Sequence, residues 1–157
     1  MGHSDGVGSS LLRKEDDRFL RGKGQYIGDI SLDKTREVAF VRSPVAHARL
    51  LGVQIPEAIR SSVFTAENLT GGKPIRAVSP LPGFKASEQP PLVTDKTRHV
   101  GELIAMCVAD TRAEAEDIAA QVLVDYDVLP AVVDMLDAQL SDAPRVHESW
   151  NDNIYLE

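Results

Sequence analysis

The spacing of apolar and polar positions changes rhythm several times along the chain, and each rhythm predicts an element. EVAFVR (37–42) alternates and is rich in β-formers, which predicts a strand. Pro44 ends it, because proline has no N–H to offer a ladder. ARLLGVQI (48–55) predicts a second strand, stopped by Pro56, with a helical turn at EAIR. SSVFTA (61–66) predicts a third, short strand. AENL then forms a turn capped by Thr65, with Asn68 three residues on where a capping box takes an acid.

The second half carries stronger periods. RHV (98–100) and ELIAMCVA (102–109) are apolar runs bounded by Gly101 and Asp110. The second scarcely alternates, so it predicts a strand covered on both faces. In DTRAEAEDIAAQV, Thr111 and Glu114 fit the S/T-x-x-E capping box. Ala115, Ile118, Ala119 and Val122 then fall at i, i+3, i+4 and i+7, giving the helix one apolar face. VLVDYDVL (122–129) alternates, with Val122, Val124, Tyr126 and Val128 on one side, until Pro130. AVVDMLDAQL begins extended and becomes helical near Asp134. A strand–helix–strand order implies a right-handed crossover if the two strands are parallel. The expected class is α+β.

Two stretches keep no period. In LLRKEDDRFLRGKGQYIGDI, glycines at 22, 24 and 28 break any helical repeat, so an irregular arm is expected. Residues 70–95 hold five prolines and three glycines, too long for a simple turn and expected to be a functional or partner-contacting loop, or partly disordered. The expected organisation is a flexible segment at 1–12 and one domain at 13–157 that includes the 70–95 loop.

Composition narrows the function. With 157 residues, 43% hydrophobic and 26% charged, the chain is ordinary for a globular domain. Its 17 basic and 24 acidic residues give a net charge of −7, which argues against nucleic acid as a partner. No apolar run reaches the roughly 18 residues of a membrane span. One cysteine, Cys107, lies within LIAMCVA and reads as a buried, inert thiol. Together with the absence of a secretory pattern at the start, this makes a cytoplasmic setting the expectation.

Candidate chemistry is sparse. Gly22, Gly24 and Gly28 form GxGxxxG, one residue off the dinucleotide fingerprint and without its strand and helix. His3, His47, His99 and His147 match no zinc spacing, and Glu15-Asp16-Asp17 and Asp125-Tyr126-Asp127 match no EF-hand. The densest polar group is FVRSPVAHARL (40–50). Ser43 and His47 there could be a nucleophile and base, but no GxSxG and no orienting acid accompany them. The alternative is a structural corner. In it, Ser43 before Pro44 bonds turn amides, and His47 stays neutral, donating at one ring nitrogen and accepting at the other. Arg42 and Arg49 flank the corner and would clamp a carboxylate of another segment or subunit.

Three stretches in order resemble one family. RKEDDRFLRGKGQYIGDI is similar to the R-x-E-D-x-R-x-L-x-G-x-G-x-Y-x-x-D-I opening of molybdenum hydroxylase large subunits. VRSPVAHARL resembles the R-S-P-x-A-H-A-R-I that follows. DKTRHVGELIAMCVADTRAEAEDIAAQVLVDYDVLPAVVD resembles the V-G-E…Y-x-x-L-P-A-V-x-D segment, with Ile118 where alanine is common. The resemblance is to the xanthine dehydrogenase and aldehyde oxidase family, at its N-terminal α/β-hammerhead domain, a mixed sheet with a few packed helices. It implies a domain or separate small subunit of a molybdenum-cofactor oxidoreductase that hydroxylates an aldehyde, an N-heterocycle or carbon monoxide with water. The whole enzyme would carry the molybdopterin-type molybdenum cofactor, iron–sulfur clusters and FAD, none of them bound by this chain alone. Its partners would be the molybdenum-binding domains or subunit, the iron–sulfur subunit and the FAD subunit. No catalytic, cofactor or metal residue is carried over, and Glu102, at the family's V-G-E, is read as a strand-start residue. Arg42, Ser43, Pro44, His47 and Arg49 become a structural and interface corner, and the chain alone would be inactive. The second reading is an autonomous, non-catalytic binding module of the same fold that uses the 70–95 loop.

Overall fold

The computed structural model describes residues 6–8 and 12–157. His3 and most of the 1–12 segment fall outside the described residues. The chain divides into two compact units, Met1–Thr35 and Arg36–Glu157.

In the first unit the expected irregular arm contains a short helix, α1 (Asp16–Leu20). The glycines do not prevent it; Gly22 ends it. Gly22 takes φ +66°, and its N–H bonds Phe19 O while Lys23 N–H bonds Arg18 O. That pair of bonds is the Schellman ending, which needs a left-handed residue just past the helix. Asp16 and Asp17 sit in the first turn, where the helix dipole favours them, and Asp17 accepts from Arg21 Nε at 2.7 Å. A Cβ on Gly24 would meet the Phe19 ring at 2.8 Å, so this glycine makes room for the Phe19–Tyr26 stack.

The second unit holds eight strands in three sheets. β1 (Glu37–Arg42), β7 (Leu103–Ala109) and β3 (Val63–Phe64) form the first, in the order β1-β7-β3. The second has the order β6-β2-β8, from β6 (Lys96–Thr97), β2 (Ala48–Gln54) and β8 (Leu123–Val128). β4 (Ile75–Arg76) pairs with β5 (Glu88–Gln89) inside the Pro/Gly-rich loop. All ladders are antiparallel.

The parallel crossover considered for strand–helix–strand therefore does not occur. Both edges of β7 are taken, by β1 and β3, so the chain after the helix has no free edge there. α2 (Arg112–Gln121) instead carries it to the second sheet, where β8 pairs with β2.

α2 begins as expected. Thr111 Oγ1 accepts from Glu114 N, and Glu114 Oε2 accepts from Thr111 N. Ala115 is wholly buried and packs with Ala39 and Ala109, small residues that let the helix lie close on β1 and β7. Ile118 and Ala119 pack against both core clusters, so the larger side chain at 118 bridges them. In β7, Ile104, Ala105, Cys107 and Ala109 are buried while Met106 and Val108 are partly covered. Burial of Ile104 removes an aliphatic side chain from water, a contribution of about 1.5–3 kcal/mol. Cys107 is buried, and its thiol pKa is pushed up by that burial.

The apolar run RHV (98–100) lies outside the strands. Pairing falls two residues earlier, at Lys96 and Thr97, opposite Arg49 and Ala48. His99 and Val100 lie in a turn that Gly101, at φ +86°, reverses. The alternation of β8 leaves Val124 and Tyr126 partly covered and Leu123, Asp125 and Asp127 exposed, as expected; Val128 is exposed as well. The turn after Thr65 forms, and Asn68 supplies the acceptor that an acid would, bonding Thr65 N at 2.8 Å. After Leu140 the chain has neither helix nor strand. Among the described residues no helix is long and apolar enough to cross a membrane.

Candidate functional site: the corner and its closing segment

The corner expected at 42–49 joins the first two sheets. Ser43 N–H donates to Glu102 O, and Gly101 N–H donates to Ser43 O, which fixes the end of β1 to the start of β7. Ser43 Oγ donates to Val45 O at 2.7 Å and accepts from Val45 N at 3.2 Å, the local turn that Ser before Pro favours. Tyr126, on β8, has its hydroxyl pKa raised chiefly by burial. His47 is buried, and its Nδ1 donates to Pro130 O at 2.7 Å across 83 residues, while Leu129 N–H donates back to His47 O. The second sheet is thereby tied to the exit of β8.

Ser43 and His47 do not form a nucleophile–base pair, because both spend their hydrogen bonds elsewhere. The acceptor role expected for the second ring nitrogen is also unfilled: buried Nε2 has no partner among the described residues. A neutral ring with its proton on Nδ1 leaves there only a lone pair, less costly to bury than an unpaired N–H.

The two arginines part company. Exposed Arg42 donates from Nη1 to Gly101 O at 3.0 Å and lies 5.7 Å over the Phe40 ring. Arg49 clamps a carboxylate of another segment, Glu148 of its own chain, through Nη2. Buried Glu102 accepts Arg98 N–H on Oε2 and stands 3.6 Å from His99 Nδ1, which closes the turn ahead of β7.

Sequence reasoning passed over the polar tail after Leu140. Lys96, 1% exposed, reaches the same Glu148 oxygen as Arg49, at 3.6 Å. Lys85 pairs with Asp152, and its N–H donates to Tyr155 O. Asn153 accepts from Val146 N and donates to Pro144 O and Ala138 O. Trp150 stacks on His147, with centroids 4.3 Å apart, and meets Tyr155, which packs edge-on to Phe84. Burial, then Arg98 and Lys96, hold the His147 pKa below its ordinary value. Lys96 and then Arg49 lower that of Glu148, and the Lys85 hydrogen bond leads in lowering that of Asp152. The 70–95 loop thus contacts the C-terminal segment of its own chain.

Among the described residues no three His, Cys, Asp or Glu side chains converge in a metal-holding group. Asp125 accepts from Gln54 Nε2 at 2.7 Å.

Comparison with known proteins agrees with this architecture. The family model described as "Aldehyde oxidase and xanthine dehydrogenase, a/b hammerhead domain" matches residues 21–130. The carbon monoxide dehydrogenase large chain of Hydrogenophaga pseudoflava is 34% identical over 147 residues, covering 91% of this chain and 18% of that one. The nicotine 6-hydroxylase large subunit of Paenarthrobacter nicotinovorans is 36% identical over 135 residues, covering 82% and 16%. The crystal structure of quinoline 2-oxidoreductase from Pseudomonas putida 86 superposes with a TM-score of 0.84 at 36% identity, over 95% of this chain and 20% of that one. The chain thus spans less than a fifth of the length of these two curated relatives. It belongs to the aldehyde oxidase and xanthine dehydrogenase family of oxidoreductases, as their α/β-hammerhead domain.

Proposed function

We propose that the chain is the scaffold part of a molybdenum-cofactor oxidoreductase, supporting the molybdenum-binding domains and shaping the path of substrate to them. The reaction would be water-dependent hydroxylation of a carbon in an aldehyde, an N-heterocycle or carbon monoxide. Molybdopterin-type cofactor, iron–sulfur clusters and FAD would lie in the rest of the enzyme, in chains or domains that are this chain's partners, in a cytoplasmic setting. The cofactors would supply the redox chemistry, and protein supplies binding and orientation. The corner Arg42, Ser43, Pro44, His47 and Arg49 takes a structural and interface role, which its hydrogen bonds between the two sheets support.

One observation carries the reading. Large apolar side chains stand bare along 123–140: Leu123, Val128, Val133 at 92% exposure, Met135, Leu136 and Leu140. So many large apolar side chains bare within eighteen residues favour an interaction surface, and the match to a small part of much longer relatives supports its being covered by the rest of such an enzyme. The test is purification from the native host of the protein carrying this chain under an affinity tag. Molybdenum, iron and flavin are expected to co-elute with it. A native chain that elutes alone, as a stable monomer without these groups, would sink the proposal and favour the autonomous module.

A further inference from the structure

We propose that Arg49 and Lys96 form a carboxylate-binding site that the chain's own Glu148 fills, so that residues 144–157 are latched over the β6-β2-β8 sheet by an exchangeable anion.

Arg49 and Lys96 are directly opposite on β2 and β6. Side chains so placed lie on one face, and like charges there repel. Lys96 cannot relieve this by swinging into water, since it is 1% exposed. Among the described residues Glu148 is the sole acid within 4 Å of its ammonium, and both cations converge on one oxygen, Glu148 Oε1. A buried charge left without its counter-ion is strongly unfavourable. The two strands therefore hold a preformed demand for one anion. The planar guanidinium of Arg49 suits a carboxylate.

The occupant itself is loosely built in. Glu148 is about half exposed and lies in a segment without helix or strand. Solvent thus reaches the carboxylate on its open side, and a small carboxylate can enter where the Glu148 side chain is removed. The cations are fixed by a sheet; the anion is supplied by a strap. That asymmetry is what a latch needs.

Trp150, the single tryptophan, sits two residues from Glu148 and reports the strap. In the full 157-residue chain, Glu148→Ala should red-shift Trp150 emission and raise its quenching by acrylamide. Sodium acetate should reverse both changes, and sodium chloride of equal ionic strength should not. Adding Lys96→Met, which keeps the stem and drops the charge, should abolish the acetate effect. If Glu148→Ala does not fold, Glu148→Ser, which also leaves the site open, is measured the same way. Unchanged quenching in the variant, or chloride matching acetate, would overturn the site.

Discussion

The corner at 42–49 and the closing segment at 144–157 both end on β2, yet they are held in opposite ways. The corner is fixed mainly by backbone bonds, Ser43 to Glu102 and Gly101 and Leu129 to His47, with the His47 ring adding a neutral bond to the Pro130 carbonyl. The closing segment is fixed by side chains: Glu148, Asp152, Asn153 and the Trp150 stack. Buried backbone bonds are insensitive to salt and pH, whereas exposed ion pairs are screened and titrate. One molecule thus combines a rigid junction with a segment whose attachment depends on its solvent.

The largest expected break is on the rigid side. His47→Ala removes a buried ring and strands the Pro130 carbonyl, a cavity plus a lost acceptor partner, for about 2–4 kcal/mol. Thermal melting should fall by roughly 2–4 °C per kcal/mol at this chain length. A variant that melts with the parent would show that the corner is not a junction. Overpacking comes next. A bulky residue such as leucine at Ala115 or Ala119 should push α2 from its sheet, at about 1–3 kcal/mol. Unchanged melting would misplace the apolar face.

The closing segment should respond to acid before the sheets do. The folded pKa of His147 lies below its ordinary value, so the neutral ring favours the folded state. That contribution is whole above the ordinary histidine value of about 6.5 and is lost as pH falls toward the folded value. Glu148 and Asp152 are also depressed, so their contributions are whole above about pH 4.5 and disappear as pH falls through their folded values. His147 is faced by Arg98, Lys96 and Glu102, and Trp150 stacks on it. Trp150 emission should therefore change in two stages on acidification while far-UV circular dichroism still reports intact sheets. Coincident transitions would erase the distinction between the two regions.

The smallest effect on folding belongs to Arg42→Ala. It loses one exposed hydrogen bond and a stacking contact, within about 0.5 kcal/mol. Under the scaffold reading it weakens assembly instead. Normal assembly with early melting, seen by size-exclusion and thermal scans, would reverse its role.

What could be read from residues alone follows the same division. The Thr111–Glu114 box, the Ala115–Ile118–Ala119–Val122 face and the Ser43 turn are set by neighbours in sequence, and the structure bears them out. The three motifs in order led to the family. α1 was hidden because its stop signal, Gly22, was read as a break in the helix rather than its end. The sheet partner of β8 was hidden because edge occupancy on β7 is a tertiary fact. Glu148 was hidden because its partners lie 99 and 52 residues away and its surroundings show no period. The Nδ1 bond of His47 to Pro130 and the empty neighbour of its Nε2 depend on packing that no spacing encodes.

Under the scaffold proposal the reactive metal centre lies outside these residues. The most direct test is metal analysis and turnover of the isolated 157-residue chain beside the complete native enzyme, assayed with an aldehyde, an N-heterocycle and carbon monoxide. Molybdenum and activity are predicted in the complete enzyme only. Stoichiometric molybdenum bound within the isolated chain, or turnover by it unaided, would refute the scaffold role.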